Sequence, residues 1–333
     1  MSSDTPEWRP WIVLVGGFLG AGKTSLILAA SKVLLARGVR CAVILNDQGD
    51  ELVDTRHVAQ RGIASREVTG GCFCCRYSDL VSVIDELKSY APEVIFAEPV
   101  GSCTDIAATV LAPLREDFAR FRVAPLTVLV DPARTAALLT GDADPNLLFL
   151  MRKQSQEADV VCVSKADLYP DAANIPGTET RILSAKTGLG VQEWLDEVLA
   201  GCQNPATRFL DIDYEKYARA EAALAWLNLS LTFEPAYPAT PAFVVGPFLH
   251  HLDNALTAAK VTIVHLKLID QSPAGWVKAA ICANGQEPTV EGDLDASPAN
   301  RHDLLLNLRA IVRNSKSKDD KVDKINQLIE KIK

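Results

Sequence analysis

The chain has 333 residues, 34 Lys and Arg against 42 Asp and Glu, and a formal net charge of −8. With about 100–200 residues per domain, two domains are expected, and 48% apolar with 23% charged residues excludes a disordered chain. An acidic balance without a basic block argues against phosphate-backbone binding, so nucleic acid is not an expected partner. Eight cysteines in a chain this long do not read as a disulfide framework. The first apolar run, Trp11 to Val15, stops at Gly16, short of the roughly 20 residues of a membrane span, and no leader pattern precedes it. A reducing cytoplasm with no membrane partner is the expected setting.

Short apolar runs at Ile12–Val15, Ala42–Leu45, Val94–Ala97, Leu126–Val130 and Val160–Val163 predict strands buried on both faces. Helical patterns lie between them at Lys23–Ala36, Asp79–Tyr90, Asp105–Leu114 and Asn146–Glu157, and a strand at Arg181–Leu183 and a helix at Val191–Leu199 close the series. Such alternation predicts βαβ units and a mostly parallel sheet flanked by helices. Beyond Gln203-Asn204-Pro205 the pattern changes. A helix is expected over Tyr214–Trp226, then a strand in which Leu227, Leu229, Leu231 and Phe233 alternate with polar residues and leave one wet face. Pro235–Pro247 reads as a connection, Phe248–Ala259 as a helix, and Val261–Ile269, Val277–Ala283 and Leu304–Val312 as strands. Lys318–Lys333 has the spacing of an amphipathic surface helix. These boundaries predict one domain over residues 8–203 and a smaller α+β domain over residues 204–333.

Gly17-Phe18-Leu19-Gly20-Ala21-Gly22-Lys23-Thr24 fits G-x-x-x-x-G-K-[ST], between a strand and a helix that continues with Ser25. Gly20 and Gly22 let backbone N–H groups approach phosphate oxygens at the helix N-terminus. Lys23 suits the β- and γ-phosphates, and the Thr24 hydroxyl suits Mg²⁺. Ser164-Lys165-Ala166-Asp167 resembles the base-reading Asn-Lys-x-Asp of GTPases. The Asp167 carboxylate can accept two hydrogen bonds from guanine, for which adenine has no matching donors, while Lys165 can cover the base. Ser184-Ala185-Lys186 resembles the second guanine loop. GTP is therefore the expected nucleotide.

Gly71-Cys72-Phe73-Cys74-Cys75 places three thiols within four positions, too close for all of them to pair with one another. They can converge as thiolates on a soft or borderline ion, or form a redox-active cluster. Cys103 is open between a core position and one near the chemistry. Cys41, Cys162, Cys202 and Cys282 read as packing, as do the five tryptophans, and His250-His251, which with Asp253 could hold a metal, reads first as a pair of solvent-facing helix residues.

Together, Gly17–Thr24, Asn46–Asp50, Gly71–Cys75, Glu98-Pro99-Val100-Gly101 and Ser164–Asp167 resemble the CobW-type metallochaperone GTPases, relatives of the nickel-insertion GTPases of hydrogenase and urease. The resemblance implies a P-loop α/β domain followed by a variable C-terminal domain that reads a client. It implies that Glu98 takes the Walker B place near Mg²⁺ and the attacking water, and that Gly101 offers its N–H to the γ-phosphate. It implies that Cys74, Cys75 and Asp47 bind a transition metal, with Cys72 as a conditional fourth ligand. Asp47 stands where relatives usually carry Glu, and Ser164 where they carry Asn. The implied activity is slow GTP hydrolysis, since no arginine finger is evident. Hydrolysis would be coupled to delivery of zinc, or of cobalt or nickel, to an apo-metalloprotein or a cobalamin-dependent client. A homodimer is among the implied assemblies. The alternatives are a GTPase assisting a cobalamin-dependent system and a nucleotide-gated metal sensor or buffer.

Overall fold

A computed structural model of the chain describes residues 8–47, 53–139, 144–171, 179–201, 209–313 and 317–330. Cys202, Gln203-Asn204-Pro205 and Gln48–Asp50 lie outside the described residues. Two compact units emerge, one of residues 1–48 and 58–217, the other of residues 49–57 and 218–333.

The first unit carries strands β1 Trp11–Gly17, β2 Cys41–Asn46, β3 Ala64–Val68, β4 Val94–Glu98, β5 Arg122–Val123, β6 Thr127–Val130, β7 Val160–Val163 and β8 Thr180–Ile182. Its helices are α1 Lys23–Ala36, α2 Val53–Gln60, which begins in the second unit, α3 Tyr77–Leu87, α4 Ala112–Glu116, α5 Pro132–Leu139, α6 Pro145–Glu157 and α7 Val191–Ala200. The sheet order is β3-β2-β4-β1-β6-β7-β8, with β5 also paired to β1, and these pairings are parallel. Continuous apolar strands at its centre are buried on both faces, as the sequence predicts; β2 and β4 are buried at every position. The loops leaving β1, β2, β4, β7 and β8 share the carboxyl edge of this sheet, where open α/β sheets hold ligands. Trp194 on α7 is 1% exposed and its Nε1 donates to Thr127 Oγ1 at 2.9 Å, which confirms a packing role.

Several elements depart from expectation. The β3 sequence Ala64-Ser65-Arg66-Glu67-Val68 hides a strand because β3 is an edge and keeps polar side chains. The helix expected over Asp105–Leu114 opens as a π-helical turn at Ala107–Leu111 before α4. Glu157 at the end of α6 reaches that turn, its Oε2 accepting from the Ala107 N–H at 3.0 Å. Burial, reinforced by nearby Asp105 and opposed by backbone N–H groups, pushes the Glu157 carboxyl from 4.5 up to about 8. The folded state therefore keeps a proton that the unfolded chain releases, so stability falls as pH rises from about 4.5 to about 8. Glu157→Gln removes this dependence. Thermal unfolding at about pH 5 and about pH 8 is expected to show the variant gaining on wild type by on the order of 3 kcal/mol at the higher pH.

The second unit is an antiparallel sheet of β9 Leu224–Phe233, β10 Val261–Ser272, β11 Gly275–Ile281, β12 Thr289–Gly292 and β13 His302–Val312, in the order β12-β11-β10-β13-β9. Helices α8 Tyr214–Ala223, whose last six residues belong here, α9 Pro241–Ala258 and α10 Lys318–Ile329 complete it. One sheet face buries Leu227, Leu266, Leu268, Leu306 and Leu308 against Leu249, Leu252 and Leu256 of α9 and Ile325 and Ile329 of α10. The helix expected to reach Trp226 yields to strand at Leu224, because Leu224 to Trp226 pair with β13. The connection expected up to Pro247 is helical from Pro241, since the Thr240 hydroxyl caps the Phe243 N–H at 3.2 Å and Pro241 suits the first turn. Ser230 and Thr232 of β9 are exposed, as the alternation predicts, whereas on β10 and β13 Val53 packs with Ile269 and Leu305, the Val53 N–H donates to Asn307 Oδ1, and Asp54 pairs with Lys267. His250 and His251 on α9 are exposed, as expected.

Candidate nucleotide and metal site

The loop after β1 is shaped by glycines that no other residue replaces cheaply. Gly17, Gly20 and Gly22 have φ of 130°, 78° and 94°, the left-handed region that side chains avoid. A Cβ on Gly17 would meet Leu129 O at 2.6 Å, whereas one on Gly22 would meet nothing within 4 Å, so open space lies above the N-terminus of α1. Lys23 and Thr24 in the first turn of α1 are buried, and both reach Glu98 at the end of β4. The Thr24 hydroxyl donates to Glu98 Oε2 at 2.8 Å, and Lys23 Nζ lies 3.6 Å from Glu98 Oε1. The structure thus gathers three predicted residues from β4 and the β1–α1 turn. Gly101 is placed against the same loop, because a Cβ there would meet Leu19 Cδ2 at 2.7 Å and Leu19 Cα at 3.1 Å. Ala21 is buried in the loop and Ser25 is exposed on α1. An open cradle lined by N–H groups, an ammonium, a hydroxyl and a carboxylate fits a phosphate chain with a hard cation.

The two loops expected to read a base also meet. Ser184 Oγ donates to Asp167 Oδ1 at 2.6 Å, and the Ala166 N–H donates to Leu183 O at 3.2 Å. Lys165, with φ of 59°, turns its ammonium to Asp131 Oδ2 at 2.7 Å, while Ser164 Oγ donates to Val130 O at 3.3 Å. Asp131 escapes sequence reading as a site residue, although an Asp before Pro132 at the end of an apolar run is a helix-cap pattern. Its Oδ1 accepts from the Ala133 N–H at 2.9 Å, which leaves Oδ2 for Lys165. Ala185 and Lys186 follow Ser184 in the same exposed-edge loop.

The cysteine turn precedes α3. Its N–H groups wind back on themselves, Cys75 and Arg76 donating to Cys72 O at 3.0 and 2.9 Å. Asn46 at the end of β2 holds it there. The Asn46 amide donates to Val68 O at 2.8 Å and Gly71 O at 2.7 Å and accepts from the Phe73 N–H at 2.8 Å. Phe73 is fully buried beneath, so the turn has an apolar anchor and a polar clamp. The clamp was legible only as a buried amide in want of partners. Asn46→Ala removes all three bonds at once. Zinc affinity is expected to fall by about 10–100-fold with the turn cysteines intact, as for other groups that orient ligands, by competition titration against a chelator.

Sulfur atoms crowd the turn. Cys72 and Cys74 are joined as a disulfide, a pairing absent from the expectation of three separate thiolates, and both must be reduced to act as ligands. Cys72 Sγ lies 3.3 Å from Cys75 Sγ, and Cys74 Sγ lies 3.4 Å from Cys103 Sγ. The sulfurs of Cys72, Cys74 and Cys103 all fall within 4.8 Å of one another, which settles the open reading of Cys103: it faces the cluster. Asp47 is half-buried next to Asn46, its N–H donating to Val68 O at 3.3 Å, and it falls outside that group of three. Cys41 and Cys162 are buried strand residues, and burial pushes the Cys162 thiol up to about 12, as suits packing rather than ligation.

Comparison with known proteins bears on this arrangement. A family model described as the CobW/HypB/UreG nucleotide-binding domain matches residues 11–191. The zinc chaperone YjiA of Escherichia coli strain K12 is 27% identical over 177 residues, 51% of this chain and 54% of that protein. The zinc chaperone YeiR of the same organism is 32% identical over 161 residues, 46% of each. The chain therefore spans about half the length of the curated relatives it matches. Among solved structures, HypB from Helicobacter pylori in complex with nickel is similar at 16% identity and TM-score 0.41, covering 59% of this chain and 91% of that one. Zn(II)-bound YjiA GTPase from E. coli is similar at 14% identity and TM-score 0.33, covering 98% and 99%. No helix among the described residues is long and apolar enough to cross a membrane.

Proposed function

Because the chain belongs to the CobW/HypB/UreG nucleotide-binding-domain family, we propose that it is a slow GTPase that carries zinc as cargo at its cysteine turn and couples nucleotide state to metal delivery. The observation that carries this reading is the meeting of two loops at one sheet edge. The cysteine turn is pinned to β2 by Asn46, and its Cys74 sulfur approaches Cys103, two residues beyond Gly101 on the loop that abuts the phosphate cradle. Zinc is favoured over cobalt and nickel by the thiolate-rich donor set and by the likeness to two zinc chaperones.

In this reading Gly17, Gly20, Ala21, Gly22 and Ser25 contribute the backbone and helix start around the phosphates, and Lys23 holds the β- and γ-phosphates. Mg²⁺, when bound, would be held by Thr24 and Glu98 and would offset phosphate charge. Glu98 also orients the attacking water, and Gly101 reports the γ-phosphate through its N–H. Ser164, Lys165, Asp167 and the loop Ser184-Ala185-Lys186 select guanine. Cys72, Cys74 and Cys75 bind the cargo, with Asp47 beside them. The client is an apo-metalloprotein, and the second unit recognises it.

Coupling of this kind is reciprocal: the factor by which GTP tightens zinc equals that by which zinc tightens GTP. Isothermal titration of a non-hydrolysable GTP analogue, with and without saturating zinc, is expected to differ about 5–150-fold, with the same factor in the reverse titration. Equal affinities would overturn the coupling. Zinc-independent turnover with no transfer to an apo-client would leave a sensor or buffer.

A further inference from the structure

We propose that Cys103 is a metal ligand, and that the cargo site is a four-thiolate site of Cys72, Cys74, Cys75 and Cys103 in which one ligand rides on the nucleotide-sensing loop. The inference rests on the proposed function and goes beyond it, since the family resemblance assigns the turn cysteines and Asp47 only.

Geometry carries it. Tetrahedral zinc with sulfur at about 2.3 Å sets ligand sulfurs about 3.8 Å apart. The Cys74–Cys103 and Cys72–Cys75 separations are 3.4 and 3.3 Å, and Cys72, Cys74 and Cys103 share a sphere of contacts no wider than 4.8 Å. Once the Cys72–Cys74 disulfide is reduced, Cys72, Cys74 and Cys103 are gathered closely enough to close on an ion, and Cys75, which touches Cys72, supplies the fourth sulfur. Four sulfurs complete the coordination number that structural zinc prefers, so Asp47 is not required. Cys103 is 1% exposed, so its sulfur faces the cluster rather than solvent.

The loop bearing Cys103 is tied to the γ-phosphate sensor through shared hydrogen bonds. The Cys103 N–H donates to Val100 O at 2.9 Å. The Gln154 side-chain amide on α6, itself buried, donates to Gly101 O at 3.0 Å and to Cys103 O at 2.9 Å. A displacement of Gly101 therefore carries Cys103 with it. With the γ-phosphate bound, the loop holds Cys103 on the cargo. After hydrolysis it withdraws one thiolate and leaves a weaker three-thiolate site from which a client can take the ion.

Zinc K-edge X-ray absorption on the full chain, reduced with a phosphine and loaded with one equivalent of zinc and a non-hydrolysable GTP analogue, tests this. Four sulfur ligands are expected in wild type and in Asp47→Ala, and three in Cys103→Ala and Cys103→Ser. Both Cys103 variants should retain zinc with at least about tenfold weaker binding, and lose most of the effect of the GTP analogue on zinc affinity. A wild-type site of three sulfurs plus oxygen, or variants that keep the sulfur count and the coupling factor, would overturn the proposal and leave the turn-cysteine reading standing. Absence of zinc binding by wild type would overturn both.

Discussion

Replacing Lys23 by Ala is expected to lower kcat/KM for GTP by on the order of 10²–10³-fold, as loss of a preorganised charge-stabilising donor does elsewhere. The ammonium sits in the first turn of α1, buried, with its partner Glu98 Oε1 at 3.6 Å. Phosphoryl transfer asks a protein for position and charge more than for covalent chemistry, so no neighbouring side chain replaces it. The same substitution strips Glu98 of a buried counter-charge, and losing one member of such a pair costs about 3–5 kcal/mol. The Thr24 hydroxyl still donates to Glu98 at 2.8 Å and moderates that loss. The two effects separate in the double variant Lys23→Ala/Glu98→Gln. Its thermal stability should recover relative to the single variant, while GTP turnover stays lost in a phosphate-release assay. Wild-type turnover in Lys23→Ala would show that the open space above Gly22 is not the phosphate site.

The second large effect belongs to the metal. Structural zinc sites contribute about 10–16 kcal/mol, or roughly 3 kcal/mol for each of four ligands, and every 1.4 kcal/mol is tenfold. Cys74→Ser/Cys75→Ser is therefore expected to weaken zinc binding by at least about 10³-fold, because serine stays protonated at neutral pH and offers no thiolate. Cys75 is exposed and Cys74 half-buried, and serine replaces sulfur with a smaller atom, so neither substitution opens a large cavity in the core. Phe73 and the Asn46 clamp are untouched, and GTP affinity without metal should match wild type. Zinc bound by this variant as tightly as by wild type would move the cargo site elsewhere in the chain.

Much of the nucleotide site was legible because its requirements are local. A left-handed φ at Gly20 and Gly22 and a helix beginning at Lys23 are properties of consecutive residues, and glycine spacing writes them into the sequence. The central strands were legible for a similar reason, since burial on both faces forces unbroken apolar runs. Elements whose residues answer to a distant partner were not. The charged edge strand β3 looks like a loop until β2 supplies its hydrogen bonds. The helix of Pro241–Ala258 contains Pro247, which reads as a break, yet it is held by the Thr240 cap and by Leu249, Leu252 and Leu256 on the sheet.

The sequence by itself determined which candidate sites this protein carries: a glycine-rich phosphate-type loop, a guanine-type loop pair and a cluster of thiols, each complete within a handful of neighbouring positions. Tertiary structure alone decided how they converge. Cys74 and Cys103 are 29 positions apart, and Asn46 and Phe73 are 27 apart. The parallel order β3-β2-β4 brings their loops to one edge. Side-chain contact across strands depends on register and strand order, and those are fixed by burial of the whole sheet rather than by any local stretch of the chain.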